Sequence, residues 1–255
     1  MPSKTPALVF SPGAWHTPEY FEPTTSRLRE AGFTCDVVSL PCVGAELTSP
    51  ETASIPQSFD ADVLAIRAVV TRHLDAGRDV VLVVHSYSGV VGSEAVAGLD
   101  AGSRGEDRSA VTHLVYAAAL VVDVGVRLWP TDEPPFPDQV TVVGDLVYRR
   151  PENLDEIFYS RCSPAQRALA VGCLRGHAWK AFTSPATHAA WRVIPSTYVR
   201  AKDDTLTNSI THLPDAHRFE AVVEVDGDHF PFVTAAEQMA EVIAGIAERS
   251  TRSLP

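Results

Sequence analysis

Short apolar runs that alternate with amphipathic stretches restrict the fold of this chain more than any other feature. The strongest run, DVVLVVHS at residues 79–86, is apolar at nearly every position, which is typical of a strand covered on both faces of a sheet. Five further runs also predict strands, at residues 7–10, 33–40, 111–120, 196–201 and 219–226, and several of these are nearly all apolar. Amphipathic patterns predict helices at residues 19–31, 58–76, 88–99 and 234–249. The alternation predicts an α/β fold with a mostly parallel central sheet flanked by helices.

Residues 121–190 interrupt this alternation. The stretch is rich in turns and aromatic residues, and VTVVGDLVYRR within it predicts a hairpin that turns at Gly144 and Asp145. A helix is predicted to follow, with Ser163 as its N-cap and Pro164 in its first position. We interpret the interval as a cap inserted over the carboxyl ends of the strands, where open α/β sheets bind their ligands. Residues 1–120 and 191–255 then form the core.

Length and charge exclude several classes of protein. The chain has 255 residues and a net charge of −11, and its basic residues form no cluster that could follow a phosphate backbone. No apolar run reaches the ~20 residues of a membrane span, and the N-terminus lacks the apolar segment of a signal peptide. The four cysteines show neither a disulfide framework nor zinc-ligand spacing. We therefore expect a soluble, cytoplasmic protein without metal or cofactor that acts on a small molecule, with a homodimer possible.

Ser86 stands at the end of the most apolar strand, in the sequence VHSYSG. An α/β hydrolase normally places its nucleophilic serine in Gly-x-Ser-x-Gly, on a tight turn between a strand and a helix. Both glycines are replaced here, by Val84 and Ser88. The small residues Ser88, Gly89 and Gly92 still favour a helix that begins close to the sheet. Ser86 is therefore a candidate nucleophile, and a simple N-cap serine is the alternative.

His229 is the candidate general base. A serine hydroxyl needs a base to take its proton, and an acid must orient that base. In α/β hydrolases the acid and then the histidine follow the serine along the chain. His229 lies in VDGDHFPF, after the last predicted strand and before the last helix, and therefore at the same sheet edge as Ser86.

Three aspartates are candidates for the acid. Asp203 and Asp204 follow the strand at residues 196–201, and only one of two adjacent residues leaving a strand can point at the imidazole. Asp123 follows the strand at residues 111–120 and also faces the predicted crevice. The residues alone do not choose among these three.

The first strand ends in FSPGAWH, which offers donors for an oxyanion. Gly13 and Ala14 follow the strand directly, where a backbone N–H could act together with the N–H of Tyr87. Donors of this kind each contribute about 3 kcal/mol to transition-state stabilisation. Together with Ser86 and His229, this turn predicts acyl-transfer chemistry.

Five ordered motifs resemble those of the α/β-hydrolase superfamily: SPGAWH, HSYSG, FYSRCSP, WRVIPSTYVRAKDD and DGDHFPF. More closely, they resemble the branch that contains plant methyl-ester esterases and hydroxynitrile lyases, over roughly residues 7–246. The resemblance implies the α/β-hydrolase fold with an inserted cap. It implies Ser86 as nucleophile and His229 as base, and it selects Asp204, because the family's acid stands six residues after the tyrosine of its Pro-Ser-Thr-Tyr segment. By the same matching, Ala14 and Tyr87 supply the oxyanion-hole amides.

The chain also departs from the family pattern. Pro12 stands where the family usually has histidine, and the changes at Val84 and Ser88 predict crowding at the turn. Relatives that cleave cyanohydrins carry a lysine beside the catalytic histidine, where this chain has Phe230.

These observations predict a serine hydrolase for a carboxylic ester or a related acyl bond of a small hydrophobic molecule. Two alternatives stay open. One is a C–C lyase or cyclase that uses the triad of Ser86, Asp204 and His229 as a base, and the other is a receptor-like binding protein. The candidate substrate-binding residues are aromatic: Trp15, Trp129, Tyr159, Trp179 and Phe230.

Overall fold

A six-stranded sheet, in which every pair of neighbouring strands runs parallel, forms the centre of the molecule. The computed structural model describes residues 5–45, 55–105, 107–210 and 219–250. Across the sheet the strands are β10 (Ala221–Val225), β9 (Ser196–Ala201), β5 (Val111–Ala117), β4 (Val80–His85), β1 (Ala7–Ser11) and β2 (Cys35–Val37). The predicted mostly parallel sheet is confirmed. The strand predicted at residues 33–40 is shorter in the structure, where β2 lies at the sheet edge and pairs only with β1.

Helices flank this sheet. The helices of the described residues are α1 (Glu22–Glu30), α2 (Asp60–Asp75), α3 (Ser88–Ala95), α4 (Ala101–Arg104), α5 (Leu154–Ile157), α6 (Pro164–Gly172), α7 (Thr205–Ile210), α8 (Pro231–Thr234) and α9 (Ala236–Arg249). Helix α1 packs against α8 and α9, and α2 packs against α3. No helix in the described ranges is long and apolar enough to cross a membrane.

A second, antiparallel sheet lies outside the parallel one. Its strands are β3 (Val43–Ala45), β8 (Gly176–Ala178), β7 (Leu146–Arg149) and β6 (Val140–Val143). The hairpin of β6 and β7 turns at Gly144 as predicted, and Ser163 caps α6 by accepting a hydrogen bond from the N–H of Gln166. Three of the four strands belong to residues 121–190, whereas β3 comes from the preceding part of the chain. The division into core and cap stays a prediction.

Burial explains why the central parallel strands are almost wholly apolar. Every residue of β1 and β4 is buried, because helices cover both faces of the central strands. Because the strands are parallel, the carboxyl ends of β1, β4, β9 and β10 lie at one edge of the sheet. The SPGAWH turn, Ser86, Asp204 and His229 follow those four ends.

Candidate active site

Ser86 occupies a sharp turn between β4 and α3. Its φ angle is +52°, a left-handed conformation that residues other than glycine seldom adopt. Backbone hydrogen bonds fix the turn: the N–H of Ser86 donates to Ala118 O at 3.2 Å, and the N–H of Leu120 donates to Ser86 O at 2.9 Å. The neighbouring strand end thus maintains a conformation that costs of order 1–3 kcal/mol. This is the backbone of a nucleophile elbow.

The structure accommodates Val84 through a glycine further along α3. A Cβ atom on Gly92 would lie 2.5 Å from Val84 Cγ1, so the missing side chain in α3 makes room for the valine in β4. A Cβ atom on Gly89 would lie 2.0 Å from Leu120 O, so this glycine lets the helix begin against the neighbouring strand end. Gly92 thus relieves the predicted crowding at Val84, and Gly89 relieves a separate contact with Leu120.

The side chains of Ser86, His229 and Asp204 form a hydrogen-bonded line. Ser86 Oγ lies 3.0 Å from His229 Nε2, and His229 Nδ1 lies 3.2 and 3.1 Å from the two carboxylate oxygens of Asp204. A carboxylate accepts but does not donate, so the proton of a neutral His229 is on Nδ1. Nε2 is then an acceptor for the Ser86 hydroxyl.

Asp204 is ionised at neutral pH although it is buried. Burial alone would raise its pKa, but the His229 imidazole and hydrogen bonds from Thr207 lower the pKa to about 2. The backbone N–H groups of Leu206 and Thr207 donate to Asp204 Oδ1 at 2.9 and 3.1 Å, and the Thr207 hydroxyl donates to Oδ2. The beginning of α7 therefore sets the orientation of the carboxylate.

The other two acid candidates lie away from His229 in ion pairs on the surface. Asp203 pairs with Arg161 at 3.1 Å, and Asp123 pairs with Arg192, whose Nε lies 3.0 Å from the carboxylate. Of the three aspartates left open by the residues alone, the structure brings Asp204 to the imidazole.

The N–H groups of Ala14 and Tyr87 have no protein acceptor among the described residues. Both residues line the same cavity as Ser86. Two unpaired donors beside a serine are the arrangement that an oxyanion hole requires.

A cavity of about 470 Å³ opens beside Ser86. Its walls are mainly apolar and include Trp15, Trp129, Phe136 and Phe182. Most of the lining comes from the end of β5 and from residues 121–190. Within the described ranges, no group of three His, Cys, Asp or Glu side chains is placed to bind a metal ion.

Three of the predicted substrate-binding aromatics do not line this cavity. Tyr159 is buried, with its hydroxyl 2.6 Å from His16 Nε2, and Phe230 is buried with its ring centroid 4.5 Å from that of His16. Trp179 lies beside Lys180, whose Nζ is 5.6 Å from the indole centroid. The directions of these three side chains depend on tertiary packing, and their role in substrate binding stays a prediction. Trp15 and Trp129 do line the cavity.

Asp62 is a buried carboxylate beside the elbow that carries no signal in the sequence, since acidic residues are common in the first turn of a helix. Its Oδ1 accepts the N–H of Cys42 and its Oδ2 accepts the hydroxyl of Tyr87, each at 2.9 Å. Burial raises its pKa to about 6, although these hydrogen bonds act in the opposite direction. Asp62 thus fixes the side chain of the residue that follows the candidate nucleophile.

Replacing Asp62 by asparagine is expected to remove a pH dependence of stability between pH 5 and pH 8. The folded-state pKa of about 6 lies above the ordinary value near 3.9, so the folded protein binds this proton more tightly than the unfolded chain. The wild type therefore loses stability as the pH rises through 6, and Asp62→Asn does not. We expect the free energy of unfolding of the wild type, relative to the variant, to fall by about 1 kcal/mol over this range in urea titrations. Asp60→Asn, on an exposed position of the same helix, is the control, and a pH-independent difference for Asp62→Asn would contradict the prediction.

Fold and site together define an α/β hydrolase, and the comparison with known families agrees. The model of the alpha/beta hydrolase family matches residues 8–242, and the chain belongs to this family. The alpha/beta hydrolase nvfD of Aspergillus novofumigatus is 31% identical over 248 residues, which cover 95% of this chain and 96% of that relative.

Two solved structures share the fold. The methylesterase MES16 from Arabidopsis superposes with a TM-score of 0.72 at 22% identity, over 96% of this chain and 99% of that protein. Tomato methylketone synthase I superposes with a TM-score of 0.69 at 16% identity, over 97% and 99%. The predicted membership of the α/β-hydrolase superfamily is confirmed. At 22% and 16% identity, the two solved structures show the same fold.

Proposed function

We propose that this chain is a serine hydrolase that cleaves a carboxylic ester, or a related acyl bond, of a small hydrophobic molecule. The observation that supports this most directly is the hydrogen-bonded line from Ser86 through His229 to Asp204, which begins at the cavity. A serine that only capped a helix would not need to align with an imidazole and a carboxylate. Acyl transfer by a serine uses this alignment, because the imidazole takes the hydroxyl proton and the carboxylate orients the imidazole.

The reaction has two halves. Ser86 Oγ forms a bond to the carbonyl carbon while His229 Nε2 takes the hydroxyl proton, and Asp204 stabilises the resulting imidazolium. The N–H groups of Ala14 and Tyr87 donate to the oxyanion. The bond to the alcohol then breaks, and His229 returns the proton to the leaving oxygen. In the second half, water gives a proton to His229 and attacks the acyl carbon. The bond from that carbon to Ser86 Oγ then breaks, and His229 gives the proton to Oγ, which releases the carboxylic acid and restores Ser86.

The apolar cavity supports a hydrophobic substrate. A volume of about 470 Å³ is suited to a small molecule, and Trp15, Phe136 and Phe182 offer ring surfaces to it. The name of MES16, a methylesterase, supports an ester as the scissile group. We propose that residues 121–190 act as the cap over this substrate, because Trp129, Phe136 and Phe182 all belong to them.

A second candidate is non-hydrolytic chemistry on the same residues. It is favoured by the shared fold with a protein named as a methylketone synthase. In that case His229 acts as a base on the substrate and no acyl-enzyme forms at Ser86.

Labelling with a fluorophosphonate distinguishes these functions. For a hydrolase we expect one covalent adduct on Ser86 by mass spectrometry, no adduct on Ser86→Ala, and turnover of short and medium-chain p-nitrophenyl esters by the wild type. Labelling without turnover of any ester would favour the non-hydrolytic candidate. Absence of an adduct on the folded wild-type protein would contradict an activated serine and favour a binding role.

A further inference from the structure

Side chains hold the peptide group between Pro12 and Gly13 from both sides. The hydroxyl of Ser88, in the first turn of α3, donates to Pro12 O, and the N–H of Gly13 donates to Tyr20 Oη at 2.9 Å. Ser88 and Tyr20 are fully buried. This peptide precedes Ala14, whose N–H is one of the two proposed oxyanion donors.

The hydrogen-bond directions on the Ser88 side are fixed by counting protons. Ser88 has one hydroxyl proton, which goes to the carbonyl of Pro12 because a carbonyl can only accept. Ser11 Oγ, 2.8 Å from Ser88 Oγ, must therefore donate to it. The serine that replaces the usual glycine thus bonds to the end of β1 at two points.

The directions on the Tyr20 side are fixed in the same way. Tyr20 accepts from Gly13, and its own proton goes to His85 Nδ1 at 2.8 Å. His85 Nε2 lies 2.7 Å from the carbonyl oxygen of His229 and must donate to it. His85 therefore carries its proton on Nε2, which leaves Nδ1 free to accept the proton of Tyr20. The oxyanion turn, the elbow and the backbone of the catalytic histidine are thereby connected through buried groups.

We propose that Ser88 and Tyr20 are positioning residues that clamp the Pro12–Gly13 peptide and thereby aim the N–H of Ala14 at the oxyanion. The inference rests on the proposed function. Gly13 touches the elbow closely, since a Cβ on it would lie 3.0 Å from His85 Nδ1 and 3.1 Å from Ser86 Cβ. A glycine at this position gives the close approach but leaves the backbone free to rotate, and the two side-chain hydrogen bonds remove that freedom.

The clamp gives a role to one departure from the family pattern, Ser88, which lies beside another, Pro12. Pro12 stands where the family usually has histidine, and Ser88 stands where it usually has glycine. The two residues meet in the hydrogen bond from Ser88 Oγ to Pro12 O. Ser88→Gly restores the common motif at this position but removes the hydrogen bond, and it should therefore lower kcat.

Three variants test the clamp: Ser88→Gly, Ser88→Ala and Tyr20→Phe. Removing an oxyanion donor costs about 10²–10³-fold in kcat, and a donor that is only loosened should cost less. We expect kcat for a p-nitrophenyl ester to fall about tenfold with KM within about twofold. The affinity for an alkyl boronic acid, which forms a tetrahedral anion on Ser86, should fall by the same factor, whereas the affinity for the product carboxylic acid should not change.

Matched controls separate positioning from the loss of a buried hydroxyl. Ser93→Ala removes a buried hydroxyl from the same helix, and Tyr116→Phe removes a buried phenol hydroxyl that lies 2.7 Å from Ser93 Oγ. We expect both controls to lose stability comparably and to keep wild-type kcat and boronate affinity.

Wild-type kcat in folded Ser88→Ala or Tyr20→Phe, or an equal loss in the controls, would overturn the inference. If Ser88→Ala does not fold, Tyr20→Phe decides it alone, and if neither folds, the boronate affinity of Ser88→Gly decides. Failure of the proposed function would appear differently, as absence of ester turnover and of a Ser86 adduct in the wild type itself.

Discussion

Asp204→Asn is expected to lower kcat by about 10⁴-fold while the protein stays folded. The amide oxygen should take the place of Oδ1, because two backbone N–H groups, from Leu206 and Thr207, donate there. The amide NH₂ group then faces His229 Nδ1 and donates to it. The imidazole must carry its proton on Nε2, next to Ser86 Oγ, and in that tautomer it cannot take the serine proton.

The measurement is the kcat of a p-nitrophenyl ester for Asp204→Asn beside Asp203→Asn and Asp123→Asn, with circular dichroism as the check on folding. The two control carboxylates sit in half-exposed ion pairs with Arg161 and Arg192, so each should keep kcat within about threefold. If Asp204→Asn kept more than about a tenth of the wild-type kcat, another group would have to orient His229.

The positions of the three residues of the proposed triad along the fold could be predicted from the sequence. Each of them follows an apolar run that reads as a parallel strand, and the carboxyl ends of such strands share one edge of the sheet. The choice of Asp204 over Asp203 needed more than the strand pattern. It depends on which of two adjacent side chains turns inward, and here the N–H groups at the start of α7 settle it.

The room for Val84 could not be predicted from the elbow motif. A five-residue motif contains only the positions closest to the serine. The residue that faces Val84 is Gly92, which lies eight positions further along the chain, in the helix that packs on β4. The same limit applies to the Ser88 hydrogen bond to Pro12, which joins residues 76 positions apart. Contacts of this kind depend on how α3 packs on the sheet, and they produce no periodic pattern of residues in the sequence.

The sequence indicates that aromatic side chains surround the site, but it does not indicate which of them point into the cavity. The aromatic-rich segment at residues 121–190 suggested ring surfaces near a ligand crevice, and Trp129 from this segment lines the cavity beside Ser86. Tyr159 carries the same chemistry but turns to His16. Phe136, which adopts a φ of +54°, does line the cavity although nothing in its local sequence distinguishes it.

Gly89→Ala is expected to lower the free energy of unfolding by about 3 kcal/mol and to reduce kcat strongly, since overpacking against rigid backbone is among the most costly substitutions. The new Cβ would lie 2.0 Å from Leu120 O and 2.9 Å from Leu120 C, both backbone atoms. Leu120 cannot simply move away, because its N–H donates to Ser86 O and thus helps to maintain the left-handed turn at Ser86. Either the strand end moves and releases Ser86, or α3 moves and carries the Tyr87 amide away from the oxyanion position.

Gly172→Ala is the matched control for this change. Gly172 is the last residue of α6 and no atom lies within 4 Å of a Cβ placed on it, so alanine there should leave stability unchanged or raise it by about 0.5 kcal/mol through its higher helix propensity. Urea unfolding and ester turnover on both variants measure the contrast. Equal stability of Gly89→Ala and the wild type would mean that the elbow can shift away from Leu120 at no cost. The left-handed conformation of Ser86 would then need a support other than its backbone bonds to the end of β5.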